Sequence, residues 1–165
     1  MKKVIIIGCP GSGKSTFARK LKAVTGLPLY HLDMMYWNAD KTTVEKAIFL
    51  DRLQNALAKP EWIIDGNYGS TMEMRLKVCD TVFFLDFPVG LCLKGVRERK
   101  GIKRSDMPWV EENTDAEFMA YIKEFNTEQR PGILALLKKY TDKKIFVFHT
   151  REDADVYLKE AEERG

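Results

Sequence analysis

Apolar positions in this chain fall into short continuous runs, separated by longer stretches whose apolar residues recur at helical spacing. Lys3 to Ile7 is a β-branched run, and Lys14 to Val24 follows with Phe17, Ala18, Leu21 and Val24 on one helical face. Leu27 to Leu32 reads as a second short strand. Thr43 to Ala58 is amphipathic through Val44, Ala47, Ile48, Leu50, Leu53 and Leu57. Trp62 to Asp65 is a third strand and Ser70 to Val78 a short helix. Thr81 to Asp86 is continuous and apolar, the pattern of a strand buried on both faces. A helix from Pro88 to about Lys100, a polar segment to about Thr114 and a long helix from Asp115 to Tyr140 come next. A last strand from Lys144 to His149 and a closing helix from Asp153 to Glu163 complete the pattern. Strands that alternate with helices imply the α/β class: one five-stranded parallel sheet with helices on both faces, a three-layer αβα sandwich. With no repeat, low-complexity tract or linker in the pattern, residues 1–165 read as one domain, with a short lid at about 100–114.

Composition changes this picture little. Of 165 residues, 45% are hydrophobic and 31% charged, ordinary globular usage. No stretch approaches the ~20 apolar residues that span a bilayer. The apolar run near the N-terminus covers only Val4 to Ile7 before it breaks into glycines, so a strand feeding a loop is expected rather than a signal peptide, and a cytoplasmic setting with it. Cys9, Cys79 and Cys92 are odd in number and carry no metal-ligand spacing. A net charge of +3 is too weak to argue for nucleic acid.

The chemistry enters at the first turn. Gly8-Cys9-Pro10-Gly11-Ser12-Gly13-Lys14-Ser15 satisfies G-x-x-x-x-G-K-[ST], with Thr16 after it. Glycines let the backbone wrap closely around phosphate oxygens, where a Cβ would obstruct the approach. Loop N–H groups and the positive end of the following helix then hold the anion. The reading is a P-loop for ATP and Mg²⁺, with Lys14 on the β- and γ-phosphates and the Ser15 hydroxyl on the metal. Such a loop also needs a carboxylate at the end of a nearby strand. Asp65 and Asp86 both end apolar strands; Asp65, followed by Gly66, is taken as the metal carboxylate and Asp86 as a helix cap.

Four stretches carry a resemblance over nearly the whole chain: the P-loop, His31-Leu32-Asp33 with Trp37 after it, Trp62 to Tyr68, and Arg104-Ser105-Asp106-Met107. On these the chain resembles the nucleoside-monophosphate-kinase and shikimate-kinase clan, and more narrowly the adenylate-kinase-related DNA topology modulation proteins. Members often carry Arg-Pro-Asp-Met where this chain has Ser105. The resemblance implies a kinase-like core with an ATP-binding lid and an undefined acceptor.

Asp33, expected at the end of the second strand and next to the phosphate loop, is a candidate to orient or deprotonate an acceptor hydroxyl, or to approach Mg²⁺; a helix cap or surface carboxylate is the competing reading. Tyr36 and Trp37 could wall an acceptor pocket, with core packing the competing role for the run Met34 to Trp37. Asn67, Tyr68 and Arg75 follow the metal strand, where the resemblance puts the acceptor. Lys94, Arg97, Arg99, Lys100, Lys103 and Arg104 place six cations in eleven residues. Arg99 and Arg104, with Arg97 beside them and Arg130 as a further candidate, read as lid arginines that stabilise a transferring phosphoryl group. Some of these cations must simply be solvated, and a DNA-binding reading is weakened by the acids that follow: Asp106, Glu111, Glu112, Asp115 and Glu117. His31 and His149 are expected to be packed and hydrogen-bonded. The cysteines are expected to be buried, with Cys9 sensitive to alkylation beside bound nucleotide. The function expected is phosphoryl transfer from ATP to a nucleotide or hydroxylated metabolite, by a monomer or homodimer. The alternative is a nucleic-acid-associated regulatory NTPase.

Overall fold

A computed structural model describes residues 1–113 and 115–165. Five parallel strands form one sheet: β1 (Lys3–Gly8), β2 (Leu29–His31), β3 (Trp62–Asp65), β4 (Thr81–Leu85) and β5 (Lys144–Phe148), in the order β2-β3-β1-β4-β5. Val4 to Ile7 at the centre are fully buried, as are Ile63, Ile64 and Val82 to Phe84 in the strands beside them. Burial on both faces is why these runs read as continuous rather than alternating. Each fully buried Ile or Val side chain contributes about 1.5–3 kcal/mol relative to exposure.

Helices cover both faces. The described segments are α1 (Lys14–Thr25), α2 (Leu32–Tyr36), α3 (Lys46–Leu57), α4 (Gly69–Val78), α5 (Val89–Arg99), α6 (Ala116–Lys123), α7 (Phe125–Glu128), α8 (Arg130–Lys139) and α9 (Arg151–Arg164). Local chemistry sets their limits. Helix α1 ends at Gly26, whose left-handed backbone (φ 73°) lets its N–H reach the Lys22 carbonyl. Asp115 caps α6 by accepting from the Glu117 N–H. Thr150 and Asp153 form a reciprocal capping box at α9.

Three sequence expectations are corrected. The long helix expected over 115–140 is three shorter ones, broken near Glu124 and Gln129; Pro131 sits in the first turn of α8, where a missing N–H does no harm. The helix expected from Thr43 begins at Lys46, because Thr43 bridges to Trp37 and the Val44 N–H donates to the Tyr36 carbonyl. Asp33 does not end a strand: it lies in the single-turn helix α2, and β3 separates its strand from β1. The order of strands nevertheless brings the loops after β1, β2 and β3 to one edge, outside the carboxyl ends of the strands, where α/β sheets place ligands.

Candidate nucleotide and acceptor site

A cavity of about 930 Å³ opens along that edge. One side is the phosphate loop, with Pro10 to Thr16 in its wall. Three of the loop's glycines have distinct reasons to be glycine. A Cβ on Gly8 (φ 158°) would lie 2.7 Å from the Leu85 carbonyl, and one on Gly11 (φ 82°) would lie 2.0 Å from the Cys92 carbonyl. Gly13 (φ 92°) faces open space, with nothing within 4 Å of where a Cβ would project. The loop therefore needs glycine against its own scaffold at two positions, and a left-handed backbone at the mouth of the cavity.

Lys14 bends back over the loop, its Nζ donating to the carbonyls of Gly8 (2.9 Å) and Cys9 (3.2 Å). Burial holds its pKa below the usual lysine value, while Asp65, Cys9 and Asp33 act in the opposite sense. A phosphate arriving here would exchange with those carbonyls for the ammonium. The Ser12 hydroxyl is buried without a hydrogen-bond partner among the described residues, an orphaned donor of the kind a phosphate oxygen satisfies. With Ser15 in the cavity wall, these features fit a Mg²⁺-nucleotide. Among the described residues no cluster of three His, Cys, Asp or Glu side chains could hold a metal alone, so the ion would share its ligands with phosphate.

The opposite wall comes from β2–α2 and β3–α4. Asp33, Tyr36, Trp37, Asn67 and Tyr68 all line the cavity. The Tyr68 hydroxyl donates to Asp33 Oδ1 at 2.5 Å. Burial pushes the Asp33 carboxyl above its ordinary range, partly offset by Tyr68 and Lys14; burial together with Asp33 pushes the Tyr68 phenol up. Tyr68 caps α4 with a left-handed backbone (φ 37°), uncommon for a residue other than glycine and a mark of local strain. Asn67 is pinned differently: its side-chain carbonyl accepts from the Gly8 N–H (3.0 Å) and its amide donates to the Gly8 carbonyl (2.5 Å).

Two residues expected at the site lie behind it. Arg75 is fully buried and donates to the carbonyls of Gly66 (2.8 Å), Asn67 and Tyr68. Burial lowers its pKa to about 10. It carries the loop from beneath and is not part of the cavity wall. Asp65 is likewise buried, with His31 Nδ1 lying 2.9 Å from both of its carboxylate oxygens. The carboxylate that the β2–α2 and β3–α4 connections place in the wall itself is Asp33, from α2.

The basic segment is arranged against its own acids. Arg99 donates to Glu111 through Nε (3.0 Å) and Nη2 (3.2 Å), and Arg104 Nη2 lies 3.4 Å from the same carboxylate. Arg104 Nη1 is 3.6 Å from Asp106, which Arg19 approaches at 4.0 Å. All five residues line the cavity. Trp109 lies edge to face with Trp37 at 5.5 Å, so the segment after α5 reaches across to the opposite wall. Thr114, the last residue of the expected lid, lies outside the described residues. Arg130 is elsewhere: it pairs with Asp86 at 2.8 Å and does not line the cavity. Asp86 is accordingly an ion-pair partner, not the expected cap of α5, whose N-cap position is Pro88. His149 is largely exposed, 3.6 Å from Asp86, whereas His31 is packed as expected.

All three cysteines are free and buried. The expected alkylation sensitivity of Cys9 does not follow, because hydrogen bonding with Cys92 and burial push its thiol well above the ordinary range. Sequence reasoning missed Gly95 and Glu111. A Cβ on Gly95 would lie 2.1 Å from the Gly11 carbonyl, so α5 rests directly on the phosphate loop. A glycine in an otherwise helical pattern, sixteen residues before an acid that follows the basic segment, was the available signal for both.

Sheet order and phosphate loop define a shikimate kinase-like P-loop α/β fold. Among solved structures it is similar to the shikimate kinase from Acinetobacter baumannii in complex with shikimate, with a TM-score of 0.63 and 16% identity, covering 99% of this chain and 94% of that one. It is also similar to the shikimate kinase from Bacteroides thetaiotaomicron, with a TM-score of 0.58 and 17% identity, covering 98% and 96%. No family model and no curated protein matches the sequence. Among the described residues no helix is long and apolar enough to cross a membrane.

Proposed function

We propose that this protein is an ATP-dependent kinase that transfers the γ-phosphoryl group to a hydroxyl of a small acceptor. The observation that carries the proposal is the juxtaposition, in one cavity, of a phosphate loop with Lys14 on one side and the Asp33–Tyr68 pair on the other. A hydrolase needs only the first. An acceptor hydroxyl beside Asp33 is oriented by the carboxylate; its oxygen forms the bond to the γ-phosphorus, the bond to the leaving ADP oxygen breaks, and the proton passes to Asp33. Mg²⁺, held by Ser15 and phosphate oxygens with Asp33 or Asp65 reaching its water shell, would neutralise charge on the transferring group. Arg99 and Arg104 supply further positive charge once phosphate competes with Glu111 and Asp106 for their N–H groups.

The stretches behind the narrower resemblance to topology modulation proteins meet in and behind this cavity: Asp33 with Tyr68 and Arg104 with Asp106 in its wall, and His31 with Asp65 behind it. Their meeting supports a common site architecture and does not require DNA. Pairing of Arg99 and Arg104 with acids favours the small-acceptor reading over a nucleic-acid-associated NTPase, since paired arginines release few counterions from a duplex. The test is coupled ADP release with Mg·ATP against nucleosides, nucleoside monophosphates and small hydroxylated metabolites. Stimulation by one class, lost in Lys14→Ala, is the expected result; stimulation only by duplex DNA, steeply weakened by salt, would replace this reading.

A further inference from the structure

We infer that the acceptor is an uncharged hydroxy compound with a flat apolar or aromatic face, such as a nucleoside, and not a phosphorylated or carboxylated one; this rests on the kinase reading above. The first support is where the cations lie. Among the described residues, every lysine or arginine lining the cavity comes from α1, from α5 and the segment after it, or from the start of α9. The acceptor wall, built from β2–α2 and β3–α4, contributes none. Its nearby arginines are committed elsewhere: Arg75 to three backbone carbonyls beneath the loop, and Arg52 to the Met35 carbonyl at 2.8 Å on the exposed side of α3. Arg99 and Arg104, which also line the cavity, are paired with Glu111 and Asp106.

The second support is the field at Asp33. Around this carboxylate Lys14 is opposed by Asp65 and Asp106, and Lys14 is the residue the γ-phosphate would engage. An anionic acceptor seated at Asp33 would meet like charges without a dedicated partner, an arrangement that selects against such ligands. The third support is the surface offered in place of cations. Tyr36 lies edge to face with Trp37 (5.5 Å, 83°) and with Tyr68 (5.1 Å, 68°), and Trp37 with Trp109 (5.5 Å, 76°). Four aromatic rings in the cavity that holds this carboxylate suit a ring that packs on them while a single hydroxyl meets Asp33.

The experiment uses acceptor pairs that differ only in charge: a nucleoside and its 5′-monophosphate, and an aromatic alcohol and its carboxylated analogue. Two readouts are taken: ADP release with Mg·ATP, and quenching of tryptophan fluorescence without nucleotide. The neutral member of each pair is expected to exceed its anionic partner at least about tenfold in kcat/KM and in affinity. Trp37→Ala should raise the acceptor KM more than it lowers kcat, and should shrink the neutral preference, which a merely structural role would not. Anionic members equal to or better than neutral ones would overturn the inference while leaving the kinase reading intact. Failure of every pair to quench would overturn it as well. Quenching in the expected order with no ADP release from any pair, in protein that binds Mg·ATP, would instead count against the kinase reading alone.

Discussion

The side-chain amide of Asn67 pairs with both backbone groups of Gly8, accepting from its N–H at 3.0 Å and donating to its carbonyl at 2.5 Å. Two hydrogen bonds across this contact lock the first residue of the phosphate loop to the turn after β3, two residues beyond the last β1–β3 partners, Ile6 and Asp65. Asn67→Ala strands the Gly8 N–H, at a cost of about 1–3 kcal/mol, while the Gly8 carbonyl keeps the Lys14 ammonium. Thermal melting should show a lowered Tm, and calorimetry at least a severalfold weaker Mg·ATP affinity. Unchanged affinity would mean that the loop holds its shape without Asn67.

Helix α5 bears on the same loop from the other side through Gly95, where an added Cβ would lie 2.1 Å from the Gly11 carbonyl. Backbone must move to admit it. Gly95→Ala should cost about 1–3 kcal/mol by overpacking. It should also weaken nucleotide binding, because the displaced atom belongs to the phosphate cradle. Gly90→Ala, on the same helix with nothing within 4 Å of the added atom, is the control and should bind nucleotide like the wild type.

How much of this was legible in the sequence depends on whether an element is local. The strands were readable because burial on both faces leaves an unbroken apolar run, as in Val82 to Leu85. The phosphate loop was readable because its glycines, Lys14 and Ser15 are contiguous. Arg75 was not: an arginine on an amphipathic helix looks solvent-facing, and only the folded chain turns it under the carbonyls of residues 66 to 68. Asp33 was placed in the right cavity but in the wrong element, since three strand residues followed by one helical turn carry no periodicity long enough to separate them. Asp86 misled for a similar reason. A carboxylate before Phe-Pro looks like a cap, and its real partner, Arg130, is 44 residues away.

Arg104 is held by Glu111 and Asp106 at 3.4 and 3.6 Å, within the cavity wall. If it turns to the transferring phosphoryl group, Arg104→Ala should lower single-turnover transfer by about 10²-fold or more, the order lost with one transition-state charge contact. ATP affinity in the absence of acceptor should fall far less. Equal rates for the two proteins would leave the arginine a role only in the ion-pair network.

Burial pushes the Asp33 carboxyl above its ordinary range, with Tyr68 and Lys14 pulling the other way. Because its folded pKa lies above the unfolded value, the associated stability is present below the unfolded pKa and is lost as pH rises through the folded one. Asp33→Asn stays neutral throughout, so its Tm relative to wild type should become more favourable as pH rises above the ordinary carboxyl range, about 4. Turnover should run in the opposite sense: wild-type kcat rises with pH as Asp33 ionises, and the variant lacks that limb. A Tm difference independent of pH would show that Asp33 titrates as an ordinary carboxyl.

The most direct test of the kinase account follows the phosphoryl group itself. Protein is mixed in excess with γ-labelled Mg·ATP in a single turnover, with and without an acceptor that stimulates ADP release, and the label is partitioned between acceptor and inorganic phosphate. The account predicts that most of the label appears on the acceptor, that little phosphate is released without it, and that Lys14→Ala abolishes both. Label recovered wholly as inorganic phosphate, at one rate whether or not acceptor is present, would contradict it.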